Sequence, residues 1–459
     1  MAKAAIIGGG IAGSSVAIYL NRLGVNVKVF EKKDVLVSGP PMCHLHAGGN
    51  LYPEITLKER LQLLKESIEL FRFYPNSIDL RPTIVTIRDD VDLKFDEILS
   101  SLEKIKEYYK TLLSDPKNKV LGEPEDYYKI FEKQDMPKFQ NICKPSPQNF
   151  EDWMAPFARH VDFKKIKWPV LLVQEYGLNV FRISAIANMI LKDKVLFNTE
   201  VIDIKEKNGF IVKYKKNSEI YEEHFDFLIN AAGFESGKID DMLGIKRERF
   251  VEFKAAYLTK WHNPEKYWSE IIFLGIRGSE KGMGQFTPYA NNIFQLHAMT
   301  KKATLYEDGL VKSEISSQPD LPKHFLNKIF SGWELEEVKE RTKEAINHIS
   351  RFIPEFKSAE ILPVPLFGAQ QIPGDNPELR AAEVSFEGDR YARCEIVKAS
   401  SVIAMAREIA KKMSETGLID YKEIEIDNRF DDEKVTQKAK EIAAKLGYPP
   451  EMGLVNFKI

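Results

Sequence analysis

Three glycines and a glutamate near the start of the chain have the types and spacing of a nucleotide-binding turn. Gly8, Gly10 and Gly13 form a GxGxxG pattern. Such glycines allow a tight turn, a close backbone approach to a pyrophosphate and close packing of the following helix. Glu31 lies about twenty residues further on, where a carboxylate can accept hydrogen bonds from ribose hydroxyls. The pattern therefore predicts a dinucleotide site, and NAD and FAD would fit it equally.

Regular elements on both sides of the glycines would hold this turn in place. Residues 4–7 form an apolar strand, Ile11 and Ala12 open a helix, and residues 27–30 form a second strand that ends at Glu31. The start of the helix presents unpaired N–H groups to a phosphate. A glycine turn without a nucleotide is the alternative, because glycine-rich turns are common.

The composition of the chain excludes several classes of function. The 459 residues exceed what one hydrophobic core usually serves, and acidic and basic residues are interspersed at a formal net charge of −2. Nucleic acid is therefore not an expected partner. Cys43, Cys143 and Cys394 are widely spaced and form no CxxC pair, so we expect neither a disulfide framework nor a metal site.

The hydropathy pattern predicts no transmembrane helix, because no uninterrupted apolar run reaches about 18 residues. The apolar residues at the start of the chain belong to the fold rather than to a signal sequence, so we expect a cytoplasmic protein. Peripheral contact with the inner face of a membrane stays open. The basic helix predicted over residues 435–446 is a candidate for that contact, and a solvated helix face is the alternative.

Three kinds of pattern follow the glycine turn. Residues 57–73 have apolar residues at helical spacing, whereas residues 250–300 alternate as strands do. Residues 114–167 are rich in Lys, Asp, Pro and Asn, with Trp153 and Phe157 as scattered aromatic anchors. This composition predicts an irregular cap that could cover a substrate.

Four segments of the chain follow one another in a characteristic order. They are the glycine turn with Glu31, the helix of 177–191 that leads into Thr199-Glu200-Val201, the strand end Asn230-Ala231-Ala232-Gly233, and a C-terminal turn and helix. This order resembles the flavoprotein oxidoreductases of the D-amino-acid oxidase superfamily, over most of the chain. The resemblance implies one FAD and an α/β fold. In that fold, a Rossmann-like FAD-binding domain is interleaved with an α+β substrate domain built on a mixed or antiparallel sheet.

The resemblance also implies a division of the chain into domains. The discontinuous FAD-binding domain comprises residues 1–80, 170–240 and 360–415. The substrate or cap domain comprises residues 81–169 and 241–359, and residues 416–459 form a C-terminal helical extension.

Contacts with FAD are implied at five places. The glycine turn would hold the pyrophosphate, and Val201 would lie against the adenine. The small residues that end at Gly233 would pack beside the nucleotide, the loop of 43–50 would contact the flavin ring, and the C-terminal loop would meet its pyrimidine end. The implied FAD-binding residues are Gly8, Gly10, Ile11, Ala12, Gly13, Glu31, Lys32, His46, Ala47, Gly48, Val201, Ala231, Ala232, Gly233, Gly388, Arg390, Tyr391 and Ala392.

The loop after Glu31 resembles two narrower families. Residues 46–54 are similar to a stretch of malate:quinone oxidoreductases. His46-Ala47-Gly48 also resembles a segment of dimethylglycine and sarcosine dehydrogenases, in which the histidine bonds covalently to the flavin. A covalent flavin and an ordinary loop histidine near the ring are both open. Residues 386–393 lack the family's Gly-His-Gly-like cluster, so the substrate class does not transfer.

Oxidation of a small acid by FAD requires a proton acceptor and an anion clamp. A histidine near its ordinary pKa can accept the proton, and a planar guanidinium can bind a carboxylate through two hydrogen bonds. For His297, a strand-end histidine with no catalytic role is the alternative. The candidates are His44, His46 and His297 for the proton acceptor, and Arg390, Arg393, Arg380 and Arg277 for the clamp.

Together these features predict an FAD-dependent dehydrogenase or oxidase. It would oxidise a small hydroxy acid or amino acid by hydride transfer to the flavin and pass the electrons to quinone or oxygen. Its expected partners are a small-molecule substrate and that electron acceptor. One alternative is a flavin-binding or sensory module without turnover. The other is an NAD-dependent dehydrogenase, which is less favoured because the sequence has no second glycine fingerprint.

Overall fold

Two β-sheets of different kinds organise the fold. The computed structural model describes residues 1–38, 55–379, 382 and 384–458. The helices are α1 (Ile11–Arg22), α2 (Leu57–Phe73), α3 (Asp96–Leu112), α4 (Met136–Gln140), α5 (Ala155–His160), α6 (Val180–Leu191), α7 (Ser236–Met242), α8 (Lys323–Phe330), α9 (Leu335–Ser350), α10 (Val402–Glu415) and α11 (Asp432–Lys445). The strands are β1 (Lys3–Ile7), β2 (Asn26–Phe30), β3 (Ile78–Asp79), β4 (Thr83–Arg88), β5 (Tyr128–Phe131), β6 (Ile166–Val173), β7 (Gly177–Leu178), β8 (Val195–Leu196), β9 (Thr199–Glu206), β10 (Phe210–Lys216), β11 (Glu219–Phe225), β12 (Phe227–Asn230), β13 (Arg249–Lys260), β14 (Glu270–Leu274), β15 (Gly284–Pro288), β16 (Ile293–Ala298), β17 (Leu310–Lys312), β18 (Glu360–Pro373), β19 (Val384–Glu387) and β20 (Tyr391–Cys394).

The smaller sheet is mainly parallel and has the strand order β19-β20-β12-β1-β2-β8. β20, β12, β1, β2 and β8 pair in parallel, and β19 adds an antiparallel edge. The side chains of β12 are all buried, as expected of a parallel strand that is covered on both faces.

Different elements cover the two faces of the smaller sheet. On one face α1 packs against α6 and α10. On the other face the antiparallel strands β9, β10 and β11 place Val201, Tyr214 and Phe225 against Phe30 of β2. This sheet between helices and a three-stranded layer is the predicted Rossmann-like unit.

The larger sheet has the order β17-β13-β16-β15-β14-β4-β6-β5, and β18 pairs along β13. Most of its neighbours are antiparallel, whereas β4 and β14 are parallel. The α/β fold class with a second, mixed sheet is thereby confirmed. The exact domain boundaries stay a prediction, and β18 in the larger sheet comes from a segment assigned to the FAD-binding domain.

Most of the 114–167 segment covers the face of the larger sheet that is turned away from the smaller one, whereas Leu121 and Tyr127 pack in the core that contains β1 and α1. Trp153 and Phe157 are buried together with Ile271 and Phe286 of the sheet and with residues of α9. The alternate residues of the same strands, such as Ile272 of β14, pack instead in the core that contains β1 and α1. The aromatic anchors Trp153 and Phe157 therefore do not face the smaller sheet, and the expectation that this segment covers a substrate stays a prediction. Its aromatic anchors complete a hydrophobic core on the far side of the sheet.

The C-terminal extension is fastened to α6. Arg182 is fully buried and donates to the side chains of Asp432 and Thr436. Asn179 caps α6 and donates to the carbonyl oxygens of Met452 and Leu454, at 2.7 and 2.9 Å. The apolar side of α11 is buried. Its apolar side chains are therefore not available to insert into a membrane.

Neither a membrane span nor a metal cluster is found in the described part of the chain. No helix there is long and apolar enough to cross a membrane. Among the same residues, no group of three or more His, Cys, Asp or Glu side chains could hold a metal ion.

Glu265 fastens the 114–167 segment to the loop before β14. Its carboxylate accepts hydrogen bonds from Arg159 Nε at 2.7 Å and His160 Nε2 at 2.8 Å. Burial by itself raises the pKa of Glu265, but the hydrogen bonds from these two residues outweigh it and lower the pKa to about 2. The charged form is therefore stabilised in the folded protein.

We expect Glu265→Gln to lower stability by about 2 kcal/mol near neutral pH, because it removes a charged acceptor from two donors. The folded-state pKa lies below the ordinary value, so this contribution is present above about pH 4.5 and is lost as the pH falls toward 2. Thermal unfolding should thus show a difference between wild type and variant that is largest near pH 6 and shrinks below pH 4.5. Glu307→Gln, at an exposed ion pair with Lys301, is the control and should leave the transition unchanged. A difference that is constant with pH would contradict this role of Glu265.

Candidate functional site

The glycine turn joins β1 to α1 at the carboxyl edge of the smaller sheet. Gly8 has φ +100°, and a Cβ there would lie 2.4 Å from the carbonyl oxygen of Ala231. A Cβ on Gly13 would lie 1.9 Å from the carbonyl oxygen of Gly8. At Gly10, by contrast, an added Cβ meets no atom within 4 Å. The first and third glycines are thus required by packing, and Gly10 faces open space.

The start of α1 also faces this open space. Gly10 is the N-cap residue of α1, and no side chain in the described part of the chain caps it. The first N–H groups of the helix, which include those of Ile11 and Ala12, are suited to bind an anion. The geometry therefore fits the pyrophosphate of a dinucleotide.

Glu31 lies beside the turn at the end of β2. Its two carboxylate oxygens accept hydrogen bonds from the N–H groups of Gly9 and Lys33, at 2.7 and 2.8 Å. Burial raises the pKa of Glu31, although these N–H groups and the nearby lysines act in the opposite direction. Since a carboxylate has about four acceptor positions, the hydrogen bonds leave room for ribose hydroxyls.

The other predicted nucleotide contacts converge on the same edge. Ala231 directly contacts Gly8, and Gly233 adopts a positive φ of 61° with open space where a Cβ would be. The N–H of Thr199 donates to the carbonyl oxygen of Glu31 at 2.9 Å, which brings Val201 to this end of β2. The structure thus brings together the parts of the nucleotide site that were predicted from three separate segments.

Lys32 makes two ion pairs at this edge. Its Nζ lies 3.0 Å from Glu235 Oε2 and 3.1 Å from Glu200 Oε1. An open pocket of about 320 Å³ lies next to Lys32, between the start of β9 and the turn of Asn217 and Ser218. Ala232, which follows the end of β12, is partly exposed.

The predicted C-terminal flavin contact is corrected. In the parallel register Tyr391 is level with Leu228, and Leu228 is level with Ala5. Gly388 and Arg390 precede Tyr391 and therefore lie at the amino edge of the sheet, away from the glycine turn. Ala392 lies inside the strand and is buried. The segment that emerges beside the turn is residues 395–401, which lead into α10.

Arg393 has a structural environment rather than that of a substrate clamp. Its buried guanidinium donates from Nε to Asp240 Oδ1 at 2.6 Å. Asp240 is itself fully buried and also accepts from Arg249 and from the hydroxyl of Tyr391. Breaking such a network leaves an uncompensated buried charge, so these contacts fix Arg393 in place.

The larger sheet presents a polar face to the nucleotide side of the molecule. Side chains directly opposite each other in antiparallel strands share a face, and the register pairs Gln285 with His297 and Thr287 with Gln295. Gln295 is also opposite Leu258, which packs in the core that contains β1 and α1. His297, a predicted catalytic residue, therefore lies on the face turned toward the smaller sheet.

Charged residues extend this polar face along β13. Glu252 is buried and pairs with Arg277 and with Lys254, whose Nζ is 3.1 Å away. Burial raises the pKa of Glu252, but the two cations lower it overall. Arg277 also pairs with Glu378, whose Oε1 lies 3.6 Å from Arg277 Nη1, so two cations and two carboxylates meet here, and the cations could also donate to an anionic group of a substrate. Arg277, a candidate clamp, is thus part of this group.

Two glutamines of β18 connect the polar face with residues 395–401. Gln370 Oε1 accepts from Lys254 Nζ at 3.2 Å, and Gln370 Nε2 donates to the carbonyl oxygen of Val397 at 2.8 Å. Gln371 Nε2 donates to the carbonyl oxygen of Cys394 at 2.6 Å. These bonds place the charged group of β13 next to the carboxyl edge of the smaller sheet.

Several predicted residues lie outside the described residues. They are His44, His46, Ala47, Gly48 and Arg380.

Sequence reasoning missed most of the polar face. A polar residue at every second position of an apolar strand, as in Gln285 and Thr287 or in Gln295 and His297, was the available signal. This period of two indicates one polar and one apolar face. The period alone does not show which of the two faces is turned toward the smaller sheet. That depends on the register of four strands.

The sequence was also compared with known families. Residues 3–117 match the family model described as FAD dependent oxidoreductase, abbreviated DAO. This segment contains the glycine turn, Glu31 and α2. The match confirms the predicted resemblance, the FAD cofactor and the oxidoreductase class. No curated protein sequence matches the chain significantly.

Solved structures of flavoenzymes share the fold of this oxidoreductase. Glycine oxidase from Geobacillus kaustophilus is 13% identical, with 93% of this chain and 97% of that chain covered and a TM-score of 0.56. L-proline dehydrogenase from P. horikoshii is 16% identical, with 91% and 99% covered and a TM-score of 0.55. L-alpha-glycerophosphate oxidase from Mycoplasma pneumoniae with FAD bound is 14% identical, with 94% and 99% covered and a TM-score of 0.57. At these identities the likeness concerns the fold.

We expect Gly10→Ala to weaken FAD binding without unfolding the oxidoreductase. The added methyl group meets no protein atom, but it occupies the space in front of α1, where the pyrophosphate must approach. The Kd for FAD, measured by titration of the apoprotein, should rise about tenfold or more, which corresponds to about 1.4 kcal/mol. Thermal unfolding of the apoprotein should show a stability loss of about 1 kcal/mol at most, because alanine is a poorer N-cap residue than glycine, and the apoprotein should remain folded.

Gly13→Ala is the comparison variant, because its Cβ collides with the backbone of Gly8. It should lower apoprotein stability as well as FAD binding. Unchanged FAD affinity in Gly10→Ala would mean that the pyrophosphate does not lie at the start of α1.

Proposed function

We propose that this FAD-dependent oxidoreductase oxidises a small amino acid or hydroxy acid at the polar face of the larger sheet. The observation that carries the proposal is the charged group of Glu252, Lys254 and Arg277. Gln370 bonds both to Lys254 and to the segment that follows β20. A substrate bound here would lie between this face and the carboxyl edge where FAD binds.

Different residues of the polar face would bind the substrate and accept its proton. Lys254 and Arg277 would bind the carboxylate of the substrate, since ammonium and guanidinium groups donate strong hydrogen bonds to carboxylates. His297 would accept the proton that leaves the amino or hydroxyl group. FAD, when bound, accepts the hydride. The buried apolar residues around the face, such as Leu258, exclude water and so strengthen these charged contacts.

The structural neighbours support this class of substrate. They include a glycine oxidase, an L-proline dehydrogenase, an L-amino acid deaminase and a glycerophosphate oxidase. Amino acids and glycerophosphate are small and carry an anionic group. The cationic side chains of Lys254 and Arg277 on the polar face accord with both.

The test of the proposal is reduction of the bound flavin without oxygen. Amino acids, 2-hydroxy acids and glycerol phosphates should be added one at a time to the holoprotein, and the absorbance of the oxidised flavin should be followed. Bleaching by a member of the first two groups is the expected result. Bleaching by glycerol phosphate alone would reject the carboxylate substrate, and no bleaching by any small anion would favour a flavin-binding module without turnover.

The electron acceptor can be identified with the same preparation. We propose quinone or oxygen, and the reduced holoprotein should be mixed with air-saturated buffer or with a soluble quinone. Reoxidation by neither acceptor would contradict this part of the proposal.

We expect Lys254→Met to impair substrate binding selectively. Hydrogen bonds to charged groups contribute about 1.5–3 kcal/mol, so the apparent Kd of the substrate in the reductive reaction should rise about tenfold to a hundredfold. The amount of bound FAD should not change, because Lys254 lies on the larger sheet. Lys312→Met, at an exposed lysine of the edge strand β17, is the matched control and should bind substrate as wild type does. A slower limiting rate with an unchanged Kd would reject a binding role for Lys254.

A further inference from the structure

Lys32 and Glu235 come from opposite sides of the glycine turn. Lys32 follows β2, and Glu235 follows β12 by a few residues. In the smaller sheet β1 lies between these two strands, and its carboxyl end carries Gly8. The 3.0 Å ion pair between Lys32 Nζ and Glu235 Oε2 must therefore cross the end of β1.

The dimensions of the sheet agree with such a crossing. Neighbouring strands are about 4.8 Å apart, so β2 and β12 are separated by about 10 Å. An extended lysine and a glutamate together can span that distance. A dinucleotide that binds at the start of α1 lies at this same edge, between Glu31 and the strand end at Ala231.

The surroundings hold the two charged groups in position. Glu235 is largely buried, with 13% of its side chain exposed, and its second oxygen accepts from Lys238 Nζ at 2.5 Å. Lys32 also pairs with Glu200 at the start of β9. The charges thus form a chain from Glu200 through Lys32 and Glu235 to Lys238 along the carboxyl edge.

We infer that the Lys32–Glu235 ion pair is a strap that closes over the adenosine half of bound FAD and slows its release. Lys32 was predicted as a cofactor-binding residue, and the geometry adds Glu235 as its partner. In this arrangement FAD leaves only when the ion pair opens. The inference rests on the FAD cofactor and not on the proposed substrate.

The rate of FAD release from the holoprotein tests the strap. Release is followed by the rise in flavin fluorescence after dilution, at low salt and at about 1 M NaCl, where charges are screened beyond about 3 Å. Lys32→Gln and Glu235→Gln should each speed release about two- to fivefold at low salt, the range expected for a partly exposed ion pair. The double variant should release FAD no faster than the single ones, because both changes open the same contact. Wild-type release should accelerate in high salt, and release from the variants should change little.

Asp34→Asn is the matched control. Asp34 pairs with Lys445 at 2.8 Å near the end of β2, but this ion pair leads to α11 and does not cross the turn. Its release rate should equal that of wild type at low salt. If either single variant fails to fold, Glu235→Asp, which keeps the charge but shortens the side chain that must reach Lys32, should speed release over the same range.

Two outcomes would contradict the inference that the Lys32–Glu235 ion pair acts as a strap. Release from both single variants at the wild-type rate would show that the ion pair does not gate FAD. Faster release from Lys32→Gln together with unchanged or slower release from Glu235→Gln would show that Lys32 acts on the dinucleotide directly. Substrate turnover does not enter the measurement, so failure of the proposed function leaves this result unaffected.

Discussion

The parallel pairing of β1 with β2 on one side and with β12 on the other decides which parts of the chain can meet. Parallel strands end at the same edge of a sheet, so Gly8, Glu31 and Ala231 come together although they are distant in sequence. The contact between Gly8 and Ala231 is close enough to exclude any larger residue at Gly8. The open space at Gly10 and the exposed start of α1 then follow from the same arrangement.

The second constraint is the way in which the two sheets are held next to each other. The smaller sheet offers a binding edge for a dinucleotide, and the larger sheet offers a polar face with a cluster of charged side chains near β13. Neither the binding edge nor the polar face alone would be sufficient for redox chemistry on a small acid. Gln370 and Gln371 fix the distance between the two through hydrogen bonds to the backbone that follows β20. A binding edge and a charged face are thereby held against each other without a continuous strand between them.

Local signals explain what could be predicted from the sequence. The glycine turn and Glu31 depend on spacing within one supersecondary unit, so they could be placed correctly, and the small residues at Ala231 follow an apolar strand. The C-terminal contact failed for a different reason. A strand has two ends, and only its direction in the sheet shows that residues 395–401, and not Gly388, emerge beside the turn. Arg393 was misassigned because the sequence does not reveal that Asp240, 153 residues away, neutralises it in the core.

The contacts between α6 and the C-terminal extension join segments that are far apart in the order of synthesis. The smaller sheet needs β12 and β20 to be complete, and α6 obtains its buried partners from Asp432 and from the backbone near Met452. A ribosome that has made only the glycine turn has therefore produced a fragment whose central sheet lacks its later strands. The edge at which Gly8, Glu31 and Ala231 meet is therefore complete only when segments from both halves of the chain have folded together.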